Sequence, residues 1–103
     1  MRMMVRFHFS PDTGNDVVRS GKINEVFGKI MADLKPEAAY LYPEQGERGG
    51  IFVFDMQDST WVAGVVERFS FGLKAKIEMI PVMTPDDLQK GLANISDIVK
   101  NFG

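Results

Sequence analysis

Met3, Val5, Phe7 and Phe9 alternate with Met4, Arg6 and His8 at the start of the chain, the period-two pattern of a strand with two different faces. Ser10-Pro-Asp-Thr-Gly14 supplies turn chemistry. A helical stretch follows in two pieces, because Gly21 interrupts it. Ile23, Val26, Phe27, Ile30, Met31 and Leu34 recur at spacings of three and four, which predicts an amphipathic helix ending before Pro36. Residues 38–42 read as a short second strand, with Ala39 and Leu41 on one face and Ala38, Tyr40 and Tyr42 on the other. From Pro43 to Gly50 the composition is that of a loop, with Gly46, Gly49 and Gly50 permitting the reversal into a third strand over 51–56. Asp58-Ser-Thr60 suits a helix start, Val62, Val65, Val66 and Phe69 form that helix's inner stripe, and Gly72 is expected to end it. Residues 74–83 form the fourth strand. Thr84-Pro-Asp-Asp87 then combines an N-cap, a proline at the first helical position and two acids at the positive end of the helix dipole. The last helix carries Leu88, Leu92, Ile95, Val99 and Phe102 on one stripe.

This order, β-α-β-β-α-β plus a terminal helix, predicts an α+β domain of the ferredoxin-like kind. In that arrangement both helices cover one face of a four-stranded antiparallel sheet, the first and third strands are central, and the fourth lies beside the first. Assigning Val5, Phe7, Phe9, Ala39, Leu41, Ile77, Met79 and Pro81 to the helices leaves a mixed set on the open face. That set is Met4, Arg6, His8, Tyr40, Tyr42, Lys76, Glu78, Ile80 and Val82. Strands three and four are apolar on both faces, and two helices cover only one. A homodimer is therefore expected. The open face is too apolar for water and too polar for a plain core, as a cavity lining or a dimer interface with polar anchors would be.

Composition narrows the partners. With 103 residues the chain is expected to be a single domain over residues 1–103. A net charge of −2 and scattered basic residues give no electrostatic reason to approach nucleic acid or an anionic membrane. The absence of cysteine removes disulfides, thiolate nucleophiles and cysteine-based metal sites. No apolar run approaches the ~18–20 residues of a membrane span. Arg2, Arg6 and His8 interrupt the first apolar run, which is unlike a signal peptide, so a cytoplasmic location is expected.

Candidate chemistry lies on the open face. His8, the only histidine, has the right unperturbed pKa to move a proton near neutrality; as a structural group it hydrogen-bonds within an interface. Arg6 and Glu78 suit the anchoring and deprotonation of a carboxylate- or enol-bearing substrate, or else form a cross-strand ion pair. Tyr40 and Tyr42 are hydrogen-bond donors for a ligand oxygen, or amphipathic aromatics on a short edge strand. Trp61 either walls an aromatic-binding pocket or packs on the adjoining strand end. His8 alone makes neither a metal nor a haem site, so no metal and no cofactor are expected. The glycines at 46–50 lack the Lys-Ser/Thr of a phosphate loop and read as a hairpin connection.

The mixed first strand, the Gly49-Gly-Ile-Phe-Val-Phe-Asp55 strand, the Asp58-Ser-Thr-Trp61 helix start, and Ile77-Glu-Met-Ile-Pro-Val-Met83 leading into Thr84-Pro-Asp-Asp-Leu88 together resemble the dimeric α+β barrel superfamily. The last stretch looks like the end of muconolactone isomerase-type domains and of uncharacterised bacterial families with the same order. That resemblance implies two subunits packing their open sheet faces together. It also implies a small, partly apolar or aromatic acid or lactone undergoing proton transfer without a bound cofactor, at Arg6, His8, Tyr40 and Glu78 with Tyr42 and Trp61 as ligand contacts. Two other readings stand beside it: a non-catalytic ligand-binding or assembly domain whose polar residues fix the dimer register, and a haem-binding monooxygenase, which a lone His8 with no recognisable haem motif disfavours. Fold alone does not choose among them.

Overall fold

The alternation of the first strand becomes two faces. In a computed structural model describing residues 1–103, β1 (Arg2–Phe9) buries Met3, Val5, Phe7 and Phe9 and leaves Arg2, Met4, Arg6 and His8 half-buried on the other side. It lies between β3 (Glu47–Asp55) and β4 (Lys76–Pro81), and β3 pairs in turn with β2 (Ala38–Glu44). The sheet order is β2-β3-β1-β4, with every pairing antiparallel. The helices are α1 (Pro11–Arg19), α2 (Lys22–Leu34), α3 (Trp61–Leu73), α4 (Pro85–Gly91) and α5 (Ile95–Phe102). This is the ferredoxin-like β-α-β-β-α-β order, with the first helix in two pieces and a helical C-terminal extension.

Local chemistry sets the breaks. Ser10 Oγ accepts from Thr13 N at 3.3 Å and Pro11 opens α1. Gly21, at φ 75°, separates α1 from α2 in a conformation that favours glycine. Before α3 the accepting oxygen comes from Asp58, whose carboxylate receives Thr60 N at 2.8 Å. Gly72 does not end α3: the helix runs one residue further and turns at Lys74, φ 52°.

The core lies between the sheet and α2 and α3. Phe7, Phe27, Phe52 and Phe69 stack in tilted and edge-on pairs with centroids 5.2–6.1 Å apart, geometries that suit the aromatic quadrupole. Val17, Ile30, Leu34, Val65 and Leu73 close over them from the helices. Each such side chain stabilises the fold by about 1.5–3 kcal/mol on burial.

Two expectations are corrected. The loop expected over 43–50 is only the two-residue turn Gln45-Gly46, with φ of 49° and 82°, the doubly left-handed turn whose twist matches a hairpin. Pro43 and Glu44 belong to β2, and Glu47 to Gly50 belong to β3. Pro43 is tolerated because β2 is an edge strand. The terminal helix is likewise two helices, α4 and α5, and it does not cover its own sheet. No residue of either is buried, and none of the closely packed element pairs includes them. The radius of gyration is 17.1 Å and the extents are 57 × 28 × 20 Å, against about 13 Å for a compact chain of this length. The extension is an arm.

Candidate functional site

Strand register places the polar residues in rows across the open face. One row is Glu78, Arg6, Ile51 and Tyr40; the next is Lys76, His8, Gly49 and Tyr42; beyond the latter, Glu44 faces Glu47 beside the hairpin turn. On the other side of the first row comes an apolar one, Ile80, Met4, Val53 and Ala38. Arg6, His8, Tyr40, Tyr42 and Glu78 thus share one face, as the alternation predicts.

Their partners are different from those expected. Arg6 stands directly across from Glu78 in register, yet its Nη2 donates to Glu44 Oε1 at 2.7 Å. His8 Nδ1 lies 2.9 Å from Glu47 Oε1. Both reach past the position of Gly49, which places no side chain between β1 and β2. A Cβ there would come within 2.4 Å of the Phe7 carbonyl oxygen and 3.0 Å of His8 Cβ. Glu44 and Glu47 were hidden in the sequence because Gln-Gly between glutamates looks like a solvated loop. The signal that exposes them is the two-residue turn, which makes its flanking residues a cross-strand pair.

The cluster is electrostatically closed. Hydrogen bonding to the Tyr42 hydroxyl holds the Glu44 carboxyl below its ordinary value, and the Arg6 charge acts the same way against a partial desolvation cost. The same hydrogen bond, partial burial and the Glu44 charge push the Tyr42 phenol up. At the opposite end Arg2 Nε bonds Glu37 Oε1 at 2.6 Å, and its Nη1 lies 3.9 Å from Asp87 Oδ2 at the root of the arm. Tyr40 stays exposed on the edge strand. Trp61 is not part of this face: it opens α3, packs against the core and borders a depression of about 400 Å³ with the Asp33–Arg68 bridge, 2.8 Å, at its rim.

The larger apolar depression, about 420 Å³, lies where Phe7, Phe9, Ile23, Phe27 and Leu41 leave the edge of the sheet uncovered beneath the hairpin. Gly46 and Gly49 are among its lining residues, and Gly50, in register between Phe7 and Leu41, adds no side chain to the row beside them. Leu41 points to the helix side as expected, but α2 does not extend over it and it is 66% exposed. Arg48 stands at the rim, its Nη1 donating to the neutral Asn15 Oδ1 at 3.1 Å and resting over Gly14. This basic group escaped the sequence reading because it falls in the stretch taken for loop.

No group of three or more His, Asp or Glu side chains is set to hold a metal ion, and no helix is long and apolar enough to cross a membrane. The chain matches no protein-family model and no curated protein. What the order and pairing of its elements show is the ferredoxin-like arrangement, and no particular family within it.

Proposed function

We propose that this protein is a self-associating domain, a homodimer that buries the open sheet face and uses its paired charges to fix the register. The observation that carries this reading is the closure of the polar cluster. Arg6 with Glu44, His8 with Glu47 and Arg2 with Glu37 are matched within one chain. With these groups bonded to one another, and Lys76 and Glu78 exposed on the edge strand β4, the middle of the face can be covered without stranding a charge there. The apolar row Ile80, Met4, Val53 and Ala38 beside it supplies the hydrophobic drive. A catalytic anchor and base instead need free valences aimed at a substrate. Sedimentation velocity at tens of micromolar tests it: the native chain sediments as a dimer, and Val53→Asp, which places an unpaired charge in the apolar row, sediments as a monomer. A native chain that stays monomeric defeats the reading.

A second reading is favoured by one observation, the groove beneath the hairpin with the Arg48 guanidinium at its mouth. A flat apolar body fits against Phe7, Phe9 and Phe27, and a carboxylate at its end would take the place of neutral Asn15 on Arg48. The ligand class is then a small aromatic acid. Titration with phenylacetate, followed by amide shifts at Leu41 and Gly50, tests this; loss of the response in Arg48→Gln supports it, and no response at millimolar ligand removes it.

A further inference from the structure

We infer that the C-terminal arm, α4 and α5, belongs to a second copy of the chain: each arm lies along its partner's open sheet face, and the exchange is reciprocal. This deepens the self-association reading above and rests on it, by naming the element that covers the face.

Three observations lead there. The arm is built for burial that its own chain does not give. Leu88, Leu92, Ile95, Ile98, Val99 and Phe102 fall on one side of the two helices and all are exposed, Phe102 by 87%. The opposite side carries Asp86 and Lys90, which bond each other at 2.9 Å, with Asp97 and Lys100 further along. One flank thus suits water and the other an apolar surface. Secondly, helices of seven and eight residues are too short to persist in water from propensity alone. Their N-terminal capping box, in which Thr84 Oγ1 accepts from Asp87 N at 3.1 Å and Asp87 Oδ2 from Thr84 N at 3.0 Å, shows that the start is fixed while the cover is missing. Thirdly, the arm holds the molecule to a length of 57 Å beside widths of 28 and 20 Å, so the stripe is carried clear of its own sheet.

The open face fits this occupant. The apolar stripe of the arm brings no charge with it, and Arg2 and Arg6 on the face need none, since Glu37 and Glu44 already pair them, while Lys76 and Glu78 keep to the exposed edge strand β4. The apolar row Ile80, Met4, Val53 and Ala38 lies toward the end of the sheet from which the arm departs, β4 ending at Pro81. A two-fold axis near the arm roots therefore brings each stripe to the other's row, as an isologous interface requires. The stripe exposes on the order of 500 Å² of apolar surface per arm, the upper range for a monomer. Two arms on two faces bury roughly 2,000 Å² in all, beyond the ~1,000 Å² that a specific interface needs. One symmetry operation satisfies both unpartnered surfaces, whereas a foreign partner would satisfy them one at a time.

The chain has no cysteine, so a nitroxide on Ser96→Cys, on the flank of α5 away from the stripe, labels one site. Mixing such chains with unlabelled, nitrogen-15-enriched native chains should broaden the amides of Met4, Val53 and Ile80 in the native chains. Val99→Glu and, independently, Ile95→Glu should weaken dimerisation at least about tenfold while leaving the amide spectrum of the sheet folded. If the dimer persists in both variants with the open-face amides protected, sheets cover one another and the arm assignment falls while self-association stands. If the native chain is a monomer, both fall. Broadening confined to the helix-covered side of the partner, or seen only within the labelled chain, overturns the exchange.

Discussion

The sheet-and-helix body and the C-terminal arm are written in the same amphipathic code and reach opposite outcomes. In the body, fourteen hydrophobic side chains form one buried cluster; in the arm, a stripe as regular as that of α2 buries nothing. The difference lies in who provides the second surface. α2 and α3 are returned to the sheet by crossovers, β1 to β2 and β3 to β4, each passing one intervening strand. After β4 no further strand draws the chain back. Periodicity states that a helix face needs covering, and only topology states by whom.

The sharpest way to break this contrast is to cut equivalent side chains in both regions. Phe69→Ala should cost the body about 3–5 kcal/mol, because the ring is fully enclosed and touches Phe7 and Phe52. Phe102→Ala should leave dilute, monomeric protein within about 0.5 kcal/mol of native. Urea unfolding at low concentration reads both, and a comparable loss from Phe102→Ala would mean that the arm packs on its own body. Next in size, Gly50→Ala should destabilise the body by about 1–3 kcal/mol, since a Cβ would press to 2.5 Å from the Tyr40 carbonyl oxygen and 2.9 Å from Leu41 Cδ2. A neutral result would show that β2 yields easily and that the hairpin, like the arm, is loosely held.

Thr84→Ala should cost α4 about 0.5–2 kcal/mol and show as faster amide exchange in Asp87 to Leu92, with β1 and β3 unchanged. Smallest is the response to acid. The Glu44 carboxyl in the body and the Asp87 carboxyl in the arm are both held below their ordinary values, Glu44 by the Tyr42 hydroxyl first and Asp87 by the Thr84 backbone N–H first. A depressed carboxyl adds stability that is present above its unfolded pKa and lost as pH falls through the folded one. Unfolding midpoints should therefore fall from about pH 4 downward, less steeply in Glu44→Gln, while Asp87→Asn flattens only the exchange response of α4. Equal slopes in native and Glu44→Gln protein would remove Glu44 from the account.

How much was legible follows the same division. The faces of β1 were readable because a strand with one apolar side admits one register. The extent of β2 and β3 was not, because Pro43, Glu44, Gly49 and Gly50 have loop propensities that the ladder overrides on an edge strand and beside a tight turn. The membership of the open face was visible in the alternation of Arg6, His8 and Glu78. Their pairing was not, since register puts Glu78 opposite Arg6, and only the side chain missing at Gly49 lets Arg6 cross to Glu44. Trp61 joined none of these residues, because its position at a helix start, and not its aromatic character, decides what it meets.

Gly49 and Gly50 have a consequence at the scale of the whole sheet. Gly49, in register with His8 and Tyr42, and Gly50, in register with Phe7 and Leu41, leave both faces of the sheet without a side chain at neighbouring positions, so the backbone is thinly covered here. Gly49 lines the groove and also stands in the open-face row of His8 and Tyr42, so pressure on the groove bears on backbone that the open face shares. By linkage, any change that a groove-bound molecule makes in the affinity of one chain for another must be matched by an equal change that the second chain makes in the affinity for that molecule. A molecule in the groove and a second copy on the open face, each as proposed above, would then report on one another.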